Sequence, residues 1–302
     1  MPRDGNSALG LPANALSLNK QLTRGVGKHA SNNIKAGENM YEGYQRLKFR
    51  RDGAILTIEM SNPSARNAVD GAMHAELARV FTEVAKDTAT RVVVLTGDPD
   101  GKAFCAGGDL KWIESIEGKG ERYAVVLKEG LDIVKTMADL PQPVVSMING
   151  HAMGLGATVG LFADVSFMDE AAKIADPHVS IGVVAGDGGA IIWPLLIGPN
   201  RAKEFLMTGD ALSGTEAARI GLVNHAVPAA ELQERAYAFA RKLASGPQLA
   251  IQLTKRSVNL FVNQVVEQVL TASLAMEGLT FASADHREAL RAFFAKEKPK
   301  FQ

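Results

Sequence analysis

Residues 143–162 read Pro143-Val144-Val145-Ser146-Met147-Ile148-Asn149-Gly150-His151-Ala152-Met153-Gly154-Leu155-Gly156-Ala157-Thr158-Val159-Gly160-Leu161-Phe162. The run is apolar enough, and long enough, to be weighed as a membrane span. Asn149, His151 and repeated glycines break it, and Pro143 and Asp164 bracket it. A buried strand over Val144–Ile148, a glycine turn and a short buried helix from about Gly156 to Phe162 account for it better. A second stretch has the same shape. Arg91–Thr96 is a short run of β-branched residues, as in a strand covered on both faces, and it leads to the glycine turn Ala103-Phe104-Cys105-Ala106-Gly107-Gly108-Asp109-Leu110.

Working outward, Leu47–Arg50 and Ile55–Met60 flank Arg51-Asp52-Gly53, a hairpin signal. Asp70 is placed to cap a helix with Met73, Leu77, Val80, Phe81 and Val84 on one face. A further amphipathic helix spans roughly Arg122–Ala138, and Val165–Met168 reads as a strand. Strands alternating with helices predict an α/β core of crossover units. After about Pro194 only helical spacing is visible: Leu195–Met207, Gly214–Arg219, Ala229–Leu243, Pro247–Leu260, Asn263–Thr280 and His286–Ala295. The expected organisation is an extension over 1–40, an α/β body over 41–193 and a helical section over 194–302. The extension is polar and glycine-rich without apolar periodicity, the composition of a disordered segment.

The 302 residues carry 33 basic and 33 acidic side chains, so no basic excess points to nucleic acid. Hydrophobic residues make up 46% and charged residues 22%, the balance of an ordinary globular protein. Cys105 is the single cysteine, which excludes an intrachain disulfide and a cysteine-rich metal centre. These features lead us to expect a cytoplasmic protein with no metal and no membrane partner.

Glycine turns after strands bring backbone N–H groups close to a ligand. Two such groups from separate turns can meet at one point as an oxyanion hole. Several motifs now resemble, in order and spacing, the enoyl-CoA hydratase/isomerase (crotonase) superfamily. They are Asn62-Pro63-Ser64-Ala65-Arg66-Asn67-Ala68, the two glycine turns above, Leu206-Met207-Thr208-Gly209, Ala217–Val223, Asp285–Ala289 and Lys296–Phe301. The likeness covers about residues 45–302. It implies a crotonase-like ββα spiral followed by a helical trimerisation section, assembled as a homotrimer or a dimer of trimers. It also implies an acyl-CoA substrate, with CoA entering as part of that substrate and no separate cofactor. The oxyanion donors then map to the N–H groups of Gly108 and Leu155. CoA contacts map to Arg66, Ala103, Ala106, Phe293 and Lys296.

The sequence departs from the family at the chemistry. Where hydratases carry two glutamates, this chain has Thr158 and His178. Histidine titrates nearest neutrality and is the first candidate for a general base. Asp187, nine residues on in Gly186-Asp187-Gly188-Gly189, is the expected acid on its far nitrogen. That pair resembles the retro-Claisen branch, the 6-oxocamphor hydrolase-like β-diketone hydrolases, although those carry a further histidine where Leu155 stands. Hydratase/isomerase activity ranks first and C–C hydrolysis of a β-diketone or β-ketoacyl-CoA second. A non-catalytic binding protein is the alternative of another class; some superfamily members bind RNA. The competing structural readings are caps for Asp109 and Asp187, packing for His151 and Cys105, and buried helix surface for Thr158.

Overall fold

The computed structural model describes residues 40–116 and 120–301; the expected extension over 1–40 falls almost wholly outside the described residues. Strand β1 (Leu47–Asp52) turns through Gly53, at φ +56°, into β2 (Ile55–Met60), with Asp52 opposite Ile55. Helix α1 (Gly71–Val84) starts at Asp70, whose side chain accepts the Met73 N–H, and buries the five predicted apolar residues together with His74. It leads to β3 (Val92–Gly97).

Helices α2 (Leu110–Ile116) and α3 (Gly120–Asp139) separate β3 from β4 (Val144–Ile148). Next come the two-residue strand β5 (Ala152–Met153), helix α4 (Leu155–Leu161), β6 (Val165–Asp169) and β7 (Lys173–Ala175). The C-terminal part contains α5 (Gly189–Ile197), α6 (Pro199–Thr208), α7 (Gly214–Ile220), α8 (Ala229–Ala244), α9 (Gln248–Phe281) and α10 (Ala284–Ala295). It is not purely helical. Strand β8 (Leu212–Ser213) joins a small sheet in the order β5-β7-β8, and β9 (His225–Val227) extends the main sheet, β1-β2-β3-β4-β6-β9.

Within the main sheet the β1–β2 pair is antiparallel and every other pair is parallel. The continuous apolar character of β3 follows from its place. Val93 and Leu95 enter the principal core with Phe81 and Phe104, while Val92 and Val94 pack with Phe167 and Tyr237 under α8. Burying each such side chain contributes about 1.5–3 kcal/mol.

Two expected helices differ from the structure for physical reasons. The predicted helix over Leu195–Met207 is broken at Gly198, φ +80°, and restarts at Pro199, which needs no N–H partner in the first turn. The predicted helices over Pro247–Leu260 and Asn263–Thr280 are one 34-residue helix. Asn259 donates to Ala138 O and Asn263 to Asp139 Oδ1, anchoring the helix to α3 on either side of the expected gap at Phe261-Val262. Among the described residues no helix is long and apolar enough to cross a membrane.

Candidate active site

The two glycine turns are laced together by backbone hydrogen bonds. Val69 N–H donates to Gly107 O, Asp109 N–H to Val69 O, Cys105 N–H to His151 O, and Met153 N–H to Cys105 O. Asn67, fully buried with φ +56°, donates to Asp98 O and Ala103 O and so pins the approach to the first turn. At Gly107 (φ +86°) a Cβ would lie 2.9 Å from Met153 O, so glycine is what lets the turns touch. The N–H groups of Gly108 and Leu155 donate to no protein acceptor among the described residues. Both residues line one cavity of about 240 Å³, shared with His74, Tyr123, His178, Asp187 and Glu277.

His178 opens a 3-10 turn (His178–Ile181) just after β7, and its ring is held by Asp176. Nδ1 is hydrogen-bonded to Asp176 Oδ1. Nε2 faces Asp187 Oδ2 at 3.5 Å, close for charge but long for a hydrogen bond. The acid bonded to Nδ1 is therefore Asp176, two residues from the histidine, and Asp187 faces the other ring nitrogen, Nε2. Asp187 is not a helix cap: α5 is capped by Gly188 without a side-chain bond. Its Oδ1 accepts instead from Thr158 Oγ1 at 3.3 Å, so Thr158 is more than buried helix surface.

Glu277 is the residue that sequence reasoning missed. It lies on α9, is 7% exposed, and enters the same cavity. Burial first, then the charges of Asp187 and Asp176, push its carboxyl up to about 8, against the opposing pull of His178. Asp187 is raised chiefly by burial, with His178 pulling the other way. Burial works against a charged His178, but Asp176, Asp187 and Glu277 outweigh it and raise the imidazole well above its ordinary value. Burial and mutual charge thus raise His178, Asp187 and Glu277 together, within one cavity. A signal for Glu277 did exist: it continues the buried stripe Val266, Leu270, Ser273 and Leu274. A carboxylate in such a stripe is a site candidate.

The remaining candidates are sorted by geometry. Ala106 lines the cavity, whereas Ala103 is buried behind it. Arg66 sits at φ 54° with its carbonyl accepting from Ala106 N–H; it does not line the cavity. Phe293 and Lys296, at the end of α10, are exposed and away from it. Asp109 caps α2 by accepting from Lys111 and Trp112 N–H. His151 Nδ1 accepts from Lys173 N–H. Cys105 is buried, and burial pushes its thiol up to about 12, which leaves no thiolate for nucleophilic attack.

Asp176, His178 and Asp187 could be considered as metal ligands because their polar atoms lie within 4.8 Å of one another. The ring stands between the two carboxylates, however, with one nitrogen committed to each side. The arrangement is a proton relay rather than a set of ligands converging on one point.

Comparison with known proteins agrees with this architecture. The enoyl-CoA hydratase/isomerase profile matches residues 50–302. The chain is 30% identical over 258 residues to a crotonyl-CoA hydratase of Syntrophomonas wolfei, covering 85% of this chain and 98% of that one. Among solved structures, an enoyl-CoA hydratase/isomerase from Mycobacterium paratuberculosis superposes with a TM-score of 0.78 at 35% identity, covering 82% and 97% of the two chains. A β-diketone hydrolase from the cyanobacterium Anabaena superposes with a TM-score of 0.76 at 30% identity, covering 82% and 98%. With a matching spiral, paired glycine turns and a profile spanning most of its length, the chain belongs to the enoyl-CoA hydratase/isomerase family of the crotonase superfamily.

Proposed function

We propose that the protein binds an acyl-CoA thioester and carries it through an enolate, in hydratase/isomerase fashion, with His178 in place of the usual glutamates. The observation that carries this reading is the convergence, in one cavity, of two free backbone N–H groups with a histidine set between aspartates. The N–H groups of Gly108 and Leu155 take the thioester oxygen. Donors preorganised in this way can each be worth about 10²–10³ in rate.

In hydration, Asp187 takes the Nε2 proton, leaving a neutral imidazole backed by Asp176. His178 accepts a proton from water as hydroxide adds to the β-carbon, and the electron pair moves onto the thioester oxygen. The neutral carboxyl of Glu277 then gives its proton to the α-carbon, and the proton held by Asp187 passes to Glu277 to restore the starting state. Isomerisation uses the same groups without water, one removing a proton and the other returning it. CoA, entering as part of the substrate, runs from the Ala106 turn past Arg66, with Phe293 and Lys296 as contacts. Exposed Leu249, Leu253, Leu260 and Phe261 on α9 support a trimeric assembly.

A second reading, C–C hydrolysis of a β-dicarbonyl, is favoured by one observation: His178 is set between Asp176 and Asp187, so that its Nε2 can pass a proton to Asp187 and then take one from water. Water would add to the β-carbonyl carbon, the C–C bond would break, and its electron pair would form the enolate held by the same N–H groups. Mass spectrometry of purified protein with enoyl-CoAs, β-ketoacyl-CoAs and CoA-free cyclic β-diketones tests both readings. Gain of one water by an enoyl-CoA, or migration of its double bond, supports the first, and cleavage of a β-dicarbonyl supports the second. No turnover of any thioester would overturn the acyl-CoA assignment.

A further inference from the structure

The cavity has a second polar wall that the mechanism above leaves unused. His74, on α1, is 5% exposed and lines the cavity. Its Nδ1 bonds Glu129 Oε2 of α3 at 2.7 Å, and its ring packs against Trp112 with centroids 5.2 Å apart. Nε2 has no hydrogen-bond partner among the described residues. Tyr123, six residues before Glu129 on α3, also lines the cavity, and its buried hydroxyl is likewise unpartnered. Much of the surrounding wall is apolar, including Ile113, Ile116, Val126, Leu127, Leu274 and Phe281, with Asp187 and Glu277 lining the same cavity.

Unpaired polar atoms in an apolar pocket are costly unless a ligand satisfies them. A simple hydrocarbon acyl chain would satisfy neither group. We infer that the acyl group taken by this cavity carries an oxygen substituent, hydroxyl or carbonyl, distinct from the thioester oxygen, and that His74 Nε2 and the Tyr123 hydroxyl bind it. With Nδ1–H donated to Glu129, His74 Nε2 accepts from a hydroxyl, and the Tyr123 hydroxyl donates to a hydroxyl or a carbonyl oxygen. Glu129 is a positioning residue for this contact. Sites built to bond a substrate hydroxyl reject the analogue that lacks it far more strongly than apolar pockets discriminate by size.

The inference rests on the acyl-CoA reading, and its test separates the two. Steady-state kinetics on the full chain would compare crotonyl-CoA with 4-hydroxycrotonyl-CoA. The expected result is a preference for the hydroxylated substrate that falls about 10–100-fold in His74→Leu and about 10-fold in Tyr123→Phe, with crotonyl-CoA turnover little changed. Glu129→Gln, which can still accept from Nδ1, should retain most of the preference, and Glu129→Leu should lose it. Parallel losses on both substrates, or no preference in the wild type, would overturn the inference and leave His74 as packing for Trp112.

The binding arm does not need turnover. In His178→Ala, the His74 Nε2 resonance should shift on addition of 4-hydroxycrotonyl-CoA and not of crotonyl-CoA. That shift without any turnover by the wild type would sink the catalytic reading alone. Its absence would sink the oxygen-binding role.

Discussion

Thr158 Oγ1 donates to Asp187 Oδ1 across 3.3 Å, linking the helix that follows the second glycine turn to the acid that faces Nε2 of His178. On the proposed reading, this hydroxyl occupies the position expected of a hydratase carboxylate and supports Asp187 instead of handling a proton itself. It also favours ionised Asp187, in opposition to burial, which is the main cause of its raised value. Thr158→Val keeps the shape of the buried side chain and removes the donor. We expect Asp187 to move further upward and the acidic limb of the kcat–pH profile to shift toward neutrality. Activity at pH 7 should fall about 10-fold, the scale of one lost hydrogen bond to a charged group. An unmoved acidic limb would mean that the contact does not act through Asp187.

Asp176 offers a sharper prediction. It is 1% exposed, and its Oδ1 is committed to His178 Nδ1. Asp176→Asn keeps the volume but can present an amide donor to Nδ1, reversing the tautomer and placing the proton on the wrong nitrogen. In a comparable histidine–acid arrangement that change costs about 10⁴ in kcat. Here we expect a loss of about 10³–10⁴ in kcat with KM nearly constant. His178→Ala should cost a similar amount, and the double variant scarcely more, because the pair works as a unit. Additive losses in single-turnover kinetics would show that Asp176 acts independently of the ring.

Much of this architecture is legible in local sequence patterns. The Asp70 cap, the doubly buried run Val92–Leu95 and the paired glycine turns each follow from short-range spacing. What escaped was tertiary. Asp176 stands two residues from His178, across Pro177, and spacing alone does not reveal that the chain folds back to set its carboxylate on Nδ1. Glu277 reaches the cluster from a helix ninety positions downstream of Asp187 in the chain, through packing of α9 beside α3. That α9 runs unbroken between the two expected helices was not legible, because the acceptors that anchor Asn259 and Asn263, Ala138 O and Asp139 Oδ1, belong to another element.

Gly107 tests whether the turn geometry matters to chemistry as well as to folding. Its φ of +86° strains any side-chain-bearing residue, and a Cβ would meet the Met153 carbonyl at 2.9 Å. Left-handed strain of this kind costs about 1–3 kcal/mol. Gly107→Ala should lower Tm by several degrees. It should also reduce kcat more than it raises KM, since relief of the clash moves the neighbouring Gly108 N–H away from the thioester oxygen. Circular dichroism melting paired with steady-state kinetics checks both effects. A lowered Tm with unchanged kcat would separate this turn from the oxyanion contact.

Glu277 supplies the pH signature. Burial, with the neighbouring aspartates, raises its carboxyl from 4.5 to about 8. Between those values the folded state keeps a proton that the unfolded chain has released. Stability contributed by the neutral carboxyl is therefore fully present below the unfolded value and is lost as pH rises through the folded one. Glu277→Gln removes the titration while keeping the shape. The variant should gain stability relative to wild type as pH is raised from 5 to 8, by about 5 °C in Tm, a shift corresponding to roughly 1–2 kcal/mol in a chain of this size. The same substitution removes the proposed proton donor. Hydration should fall about 10²–10³-fold, and the alkaline limb of kcat near pH 8 should disappear. If the limb persists while activity falls, the alkaline titration belongs to His178, and Glu277 acts on it through charge rather than by giving a proton to the substrate.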